Sequence, residues 1–472
     1  MSDAAPTFLD RTIGRLRGAW RDIAAQTFGQ RAAQPRPDLP DDDAERVRRQ
    51  MQDCLEARGG EVSARARAAE LGRAYLGLNG AGRLRFLKLL ASAYDVDRAA
   101  VDTAVQRYAI AADPDARNLA DQALRQALDP PRRRLLTQFN ALPEGVKFLV
   151  DLRAELLGHA RSEPGLAGLE SDLKALLASW FDVGFLELRQ ITWSAPAALL
   201  EKLIAYEAVH EIRGWTDLKN RLDSDRRCFA FFHPRMPDEP LIFVEVALVQ
   251  GMAGNIQALL DERAPVFDAA KADSAIFYSI SNAQKGLAGI SFGNFLIKRV
   301  VDRLAHEFGG LKTFATLSPI PGFMGWLQRR MEAAEPLLTA GERKSLARFE
   351  TGEHDGVVLG RLLARQGWPG EADLAEALQP PLMRLCARYL MGERARGSAR
   401  ALDPVAHFHL TNGARIERLN WLADGSLNGM RQAAGLMVNY RYKLDDIESN
   451  HEAYTGEGTV LASSAMRGLW KA

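Results

Sequence analysis

The stretch Ser274–Trp326, SAIFYSISNAQKGLAGISFGNFLIKRVVDRLAHEFGGLKTFATLSPIPGFMGW, reads as strand, glycine-bearing loop, amphipathic helix, strand and proline-punctuated turn. Ala275 to Ser281 mixes apolar and aromatic residues and ends in the polar pair Ser281 and Asn282, the pattern of a buried strand running into a site. Gly286, Gly289 and Gly293 follow, and glycine admits backbone geometry and close ligand approach that side chains block. From Asn294, Phe295, Leu296, Val300, Val301 and Leu304 recur at helical spacing until Gly309-Gly310 stop the helix. A glycine loop feeding a helix start offers N–H groups and a positive dipole end to an anion such as a phosphate. The same glycines also serve as a plain tight connection, so the loop alone does not decide. The second strand, Thr313 to Leu317, delivers Ser318 into Pro319-Ile320-Pro321-Gly322, a turn made rigid by its prolines. A hydroxyl there either caps its own turn or faces a ligand.

Outward from this stretch the texture differs on the two sides. Residues 1–185 are rich in Ala, Leu, Arg and Glu with apolar residues three and four apart, which predicts an all-helical bundle. Its breaks fall at Pro35 to Pro40, Asn79-Gly80, Asp113-Pro114, Asp129 to Pro131 and Pro164-Gly165. From about Phe185, Ser194 is a candidate cap for the helix that follows, and Cys228 to Phe232 with Leu241 to Gln250 read as an antiparallel hairpin. Residues from about 327 to 400 return to helix, with breaks at Pro336, Gly352, Pro369-Gly370 and Pro380-Pro381. Ala406 to Leu410, Ala414 to Trp421 and Val438 to Lys443 then read as strands. The expected fold is α+β: a helical bundle over 1–185, then an α/β catalytic part over 186–472 with a helical insertion.

The composition is ordinary globular material: 472 residues, 47% hydrophobic and 26% charged, enough for two or three domains. Lys and Arg number 61 against 60 Asp and Glu, so no global field selects nucleic acid or an anionic membrane. Cys54, Cys228 and Cys386 are far apart and lack ligand spacing, which argues against a disulfide framework or a zinc site. No run approaches a spanning helix. Spaced arginines near the N-terminus resemble a transit peptide, but Asp3, Asp10 and Asp22 oppose that reading, and the expected location is the cytoplasm.

His407 and His409 alternate with Phe408 and Leu410, so on a strand they share a face, and either suits general acid or base work. They lack a nearby third ligand for zinc. The strings HPRMPDEPLIFVEVAL (233–248), IFYSISNAQKGLAGISFGNFLIKRVVDRL (276–304), TLSPIPGFMGWL (316–327), DPVAHFHLTNGA (403–414) and GLMVNYRY (435–442) together resemble the malonyl-CoA decarboxylase family. The resemblance covers most of residues 190–460 in one order. It implies an N-acetyltransferase (GNAT)-like catalytic part, whose splayed strands and following helix start hold the pyrophosphate of coenzyme A. It places the catalytic serine at Ser318, the catalytic histidine at His409 and the coenzyme loop at Ala288, Gly289, Ile290, Ser291, Phe292, Gly293 and Asn294. Tyr454 and His407 are auxiliary candidates. Two departures stand out: Ser291 occupies a position that is acidic in some animal relatives, and His407 one that is asparagine.

The implied reaction takes malonyl-CoA to acetyl-CoA and carbon dioxide through a thioester enolate, with no cofactor or metal because the thioester is the electron sink. Backbone donors near the glycine loop are expected to hold the enolate oxygen, Ser318 to orient the carboxylate, and His409 to supply the proton. Phe323 and Phe408 are expected to thin the water around the carboxylate. The resemblance also implies a homo-oligomer, dimer or tetramer, assembled through the helical part. An acyltransferase using the same coenzyme site, which would need an acceptor cleft, and a non-catalytic acyl-CoA sensor are the alternatives.

Overall fold

Helix-forming residues at three and four spacing dominate the first part of the chain, and short polar residues set where each helix begins. The computed structural model describes residues 16, 18–23, 34–56, 60–160, 162–181, 183–290 and 296–471. Helices Asp41–Leu55, Gly60–Gly77, Gly80–Ala93, Arg98–Ile110, Pro114–Ala127, Pro131–Phe139, Gly145–His159 and Ala167–Trp180 follow in order. The expected breaks fall at helix starts: Asn79 accepts from the Gly82 N–H, and Asp113 from the Ala116 N–H just ahead of Pro114. Trp20, Tyr75, Phe86, Phe139 and Phe148 meet at ring separations of 4.9–6.3 Å and form an aromatic core.

The described residues fall into two compact units. One gathers the chain up to Glu187 with Phe232–Leu241 and Ala283–Phe292; the other takes Leu188–Phe231, Ile242–Asn282 and Gly293–Ala472. The strands are β1 (Glu187–Ile191), β2 (Arg226–Phe232), β3 (Ile242–Val249), β4 (Ser274–Asn282), β5 (Thr313–Thr316), β6 (Ser318–Pro319), β7 (Arg415–Asn420) and β8 (Met437–Tyr442). Among the described residues they form an eight-stranded sheet in the order β1-β2-β3-β4-β5-β8-β6, with β7 on β8. β2 and β3 make the expected antiparallel hairpin, Arg226 opposite Ala247 and Phe231 opposite Ile242. β4 runs antiparallel to β3 and parallel to β5, and the helix Leu296–Glu307, whose Ile297, Val300, Val301 and Leu304 are buried, is the crossover.

Two irregularities at one level open this sheet. Glu245 faces Ser279 while Val246 faces Phe277, so Tyr278 is an extra residue that bends β4. Pairing of β4 with β5 runs from Ser274 and Thr313 only as far as Phe277 and Thr316. Beyond that point β4 continues to Asn282, whereas the other chain turns to β8 with Ser318 opposite Val438. The two parallel strands therefore splay at their carboxyl ends.

Helices Phe323–Glu332, Ala340–Leu346, Asp355–Leu363 and Ala372–Gly392 fill the stretch between β6 and β7. Pro380-Pro381 do not end a helix: Ala372–Gly392 runs through them, with Leu374, Leu378, Leu382, Leu385 and Leu390 buried, so packing offsets the lost hydrogen bonding. Nor does Ser194 cap the helix Ala197–Tyr206; it meets the Thr192 hydroxyl, and Pro196 takes the cap position. The larger correction concerns Ala406 to Leu410, which is no strand but part of the helix Pro404–Thr411. Asp403 accepts from the Val405 and Ala406 N–H groups and Pro404 fills the first turn, a start signal that outweighs the apolar alternation. Residues two apart on a helix point about 200° from one another, so His407 and His409 do not share a face. Among the described residues no helix is long and apolar enough to cross a membrane.

Candidate active site

The splay of β4 and β5 leaves a cavity of about 210 Å³ at their carboxyl ends, where ligands of open α/β sheets bind. Tyr278, Ile280, Asn282, Ser318, Phe408 and His409 are among its lining residues. Ser318 reaches it because the chain leaves β5 there, and His409 because the capped helix Pro404–Thr411 turns its buried face that way.

Ser318 Oγ lies 3.1 Å from His409 Nε2 and 2.8 Å from Thr316 Oγ1. His409 Nδ1 lies 2.8 Å from the Tyr442 hydroxyl. Tyr440 and Tyr442, two apart on β8, point to one side of the strand; Tyr440 stacks on the imidazole at 4.5 Å and 23° while Tyr442 meets its far nitrogen. Thr316 is fixed in turn, its hydroxyl accepting from the Tyr440 N–H at 3.0 Å and its carbonyl from Asn439 Nδ2 at 2.6 Å. Ser318 and His409 are 6% and 3% exposed, so this arrangement is preformed away from bulk water.

Burial pushes the His409 imidazole down to about 3, and the ring is neutral near pH 7. A neutral imidazole donates from one nitrogen and accepts at the other. Among the described residues no carboxylate hydrogen-bonds the ring; a phenol stands there, and burial drives the Tyr442 hydroxyl well above its ordinary value. The triple of serine, histidine and tyrosine orients the ring without favouring its cation. Such a site can direct hydroxyl and imidazole protons at a bound ligand.

The malonyl-CoA decarboxylase C-terminal domain model matches residues 184–472, and the model of that family's N-terminal domain matches residues 94–181. The chain belongs to the malonyl-CoA decarboxylase family. It is 40% identical over 420 residues to the mitochondrial malonyl-CoA decarboxylase of Anser anser anser, covering 85% of this chain and 83% of that protein. It is 42% identical over 362 residues to the one of Rattus norvegicus, covering 74% and 73%. Crystal structures of malonyl-CoA decarboxylase from Rhodopseudomonas palustris and Agrobacterium vitis superpose with TM-scores of 0.82 and 0.80 at 43% and 44% identity. Each covers 90% of this chain and 99% of its own.

Of the residues that the malonyl-CoA decarboxylase resemblance singled out, Ser318 and His409 come together and the auxiliary pair does not join them. His407 and Tyr454 meet each other instead, Nδ1 2.8 Å from the phenol oxygen. His407 Nε2 accepts from Arg400 Nε at 3.1 Å, and the Tyr454 oxygen accepts from the Ala401 N–H at 2.8 Å. They form a clamp on the outer side of the helix. Phe323 is buried against Trp326 and Tyr389, and Phe408 rather than Phe323 lines the cavity. Ala288, Gly289 and Ile290 follow the short turn Lys285–Leu287 in the helical unit, and Ser291, Phe292, Gly293 and Asn294 lie outside the described residues. Thr316, Tyr440 and Tyr442 were missed by the sequence reading. The NYRY alternation of β8 sets both tyrosines on one side of a strand but does not say what they face, and nothing local marks Thr316.

Proposed function

We propose that the chain converts malonyl-CoA to acetyl-CoA and carbon dioxide without cofactor or metal. The observation that carries this reading is the Ser318–His409 pair, 3.1 Å apart on a small cavity at the splayed strand ends of a malonyl-CoA decarboxylase family member. In the reaction the bond from C2 to the carboxylate breaks, its electron pair enters the thioester carbonyl as an enolate, and C2 takes up a proton. The β5-facing edge of β4 beyond Phe277, which has no strand partner among the described residues, and the Asn282 side chain offer donors for the enolate oxygen. With Nδ1 accepting from Tyr442, the ring proton of His409 sits on Nε2 and points at Ser318 Oγ. The Ser318 hydroxyl then accepts from His409 and donates to Thr316 Oγ1, and turning that proton from Thr316 toward the ligand orients the departing carboxylate. Once carbon dioxide has left, C2 is protonated through the same pair, and solvent restores the proton. Phe277, Ile280 and Phe408 thin the water around the carboxylate.

The splayed strands also support a GNAT-like reading of the catalytic part, with Ala288–Asn294 as the coenzyme loop. The helices Arg98–Ile110 and Pro114–Ala127 support self-association: they pack mainly on each other and expose Val105, Ile110 and Leu119, with Leu128 exposed just beyond them. A cytoplasmic location belongs to the same proposal; the label "mitochondrial" is that of the relatives.

Carboxyl-labelled malonyl-CoA, incubated with the purified protein, a chelator and no acceptor, tests the reading. Equal release of labelled carbon dioxide and acetyl-CoA supports it; binding without either product removes it. A second reading, acyl transfer, is favoured by one observation. A polar cleft of about 1260 Å³ lined by Glu207, His210, Arg213 and Asp424 shares Val209 with the acyl cavity and is wide enough for an acceptor. Product formation that depends on an added amine would select it.

A further inference from the structure

The loop after β4 is shaped by the helical unit to which Ala283 to Ile290 belong. Arg153, 1% exposed on the helix Gly145–His159, donates to the Gly286 carbonyl at 2.5 Å and to the Ala288 carbonyl at 2.9 Å, while Glu170 holds the same guanidinium at 2.7 Å. Gly286 lies so close to the Val150 carbonyl that a Cβ there would overlap it. Two loop carbonyls are thus drawn to Arg153, and the N–H trans to the Ala288 carbonyl, that of Gly289, faces away from it. The N–H groups of Leu287, Ala288 and Ile290 bond within the turn, but that of Gly289 has no acceptor among the described residues. Gly289, at φ +72 after Ala288 at φ −55 and ψ 132, is the third residue of a type II turn that the Ile290 N–H closes on the Leu287 carbonyl, which needs glycine there and leaves the Gly289 N–H pointing outward.

One cation stands over that position. Lys174 Nζ, from the helix Ala167–Trp180, lies 3.5 Å from where a Cβ on Gly289 would be. The side chain is exposed, and among the described residues it makes no ion pair. The two acids that precede it on the helix are engaged elsewhere, Glu170 with Arg153 and Asp172 with Arg132. Its charge therefore has no ion-pair partner among the described residues, and it stands over the exposed residue whose N–H is unbonded.

We propose that Lys174, with the Gly289 N–H, binds a phosphate group of the coenzyme A thioester; Arg153 is the positioning residue that shapes the loop. This rests on the coenzyme-thioester reading above. The lysine acts on the phosphate-bearing end of the ligand and takes no part in bond breaking. The phosphate is either the 3′-phosphate or the pyrophosphate.

Initial rates with malonyl-CoA, malonyl-dephospho-CoA and malonyl-pantetheine test it. Lys174→Glu, at an exposed position where folding is not at stake, raises KM for malonyl-CoA about tenfold with kcat within about twofold, and Lys174→Arg stays near wild type. With malonyl-pantetheine, which has neither phosphate, KM does not respond to the substitution. An effect that persists with malonyl-dephospho-CoA assigns the lysine to the pyrophosphate, and one that disappears assigns it to the 3′-phosphate. An unchanged KM for malonyl-CoA, or an equal rise with malonyl-pantetheine, overturns the proposal. If the wild type turns over none of the three, the decarboxylase reading has failed on its own account. Calorimetric titration with coenzyme A then decides Lys174: about tenfold weaker binding by Lys174→Glu supports it, while equal binding, or none by the wild type, overturns it.

Discussion

Ser318 and His409 differ from His407 in what their side chains face, although two of the three sit in one short string. Ser318→Ala and His409→Asn should each lower kcat by about a hundredfold or more, since in the proposed mechanism each removes a group that handles the carboxylate or the proton. His407→Asn loses the contacts to Arg400 and Tyr454, costs about 1 kcal/mol of stability and leaves kcat within about threefold. Steady-state kinetics beside urea titrations separates the two patterns; matching losses of kcat in both histidine variants would bring His407 into the mechanism. The neutral His409 ring also has a stability consequence. The unfolded chain takes up a proton near the ordinary imidazole value of about 6.5, whereas the folded ring does so only near 3. Because the unfolded state binds the extra proton in that window, stability falls as pH drops through it, by up to about 1.4 kcal/mol per unit. Wild type should therefore lose stability relative to His409→Asn between about pH 7 and pH 5, by up to about 2 kcal/mol. A constant gap between the two unfolding midpoints would mean the ring titrates normally.

The helix Pro404–Thr411 carries the histidine, and Asp403 fixes where that helix starts. This carboxylate is fully buried and meets the Tyr389 hydroxyl at 3.2 Å as well as the Val405 and Ala406 N–H groups. Asp403→Ala should cost about 1–2 kcal/mol through the lost cap alone and more through the stranded Tyr389 hydroxyl. Because the whole helix is then free to shift against Ser318, kcat should fall while coenzyme binding holds. Binding that weakens as much as kcat would mean the element does more than aim His409. The β4 bulge at Tyr278 works at the same scale, since the strand bends where its parallel partner leaves.

Across the molecule, the exposed apolar residues of the Arg98–Ile110 and Pro114–Ala127 pair bear on assembly. Ile110 is 80% and Leu119 68% exposed, and the only residues of the two helices that are buried are Ala104 and Ala120. Ile110→Arg with Leu119→Arg should shift sedimentation equilibrium toward smaller species while thermal unfolding of the secondary structure stays in place. An unchanged mass would free this surface from any role in self-association.

Local signals reached a good part of this protein. Asn79, Asp113 and Pro130-Pro131 marked helix starts because capping and proline geometry act within a few residues, and the β2–β3 hairpin and the β4–helix–β5 crossover were legible from periodicity and glycines. Ser318 and His409 stood in unusual strings. The helix over Pro404–Thr411 was legible too, in Asp403-Pro404, but the apolar alternation of His407 to Leu410 was read as a strand. Tyr442 was beyond local reading, because its meeting with His409 depends on β8 inserting between β5 and β6, a pairing across a long helical excursion that no neighbouring residue encodes. The same holds for Lys174 over Gly289 and for the neutrality of His409, which is a matter of how completely other segments exclude water. The sequence by itself determined the elements and the pair of groups suited to the chemistry, since propensity, capping and turn geometry are short-range. Only the tertiary structure decided which side chains hold that pair and in what charge state, because contact and burial are set by segments distant in the chain.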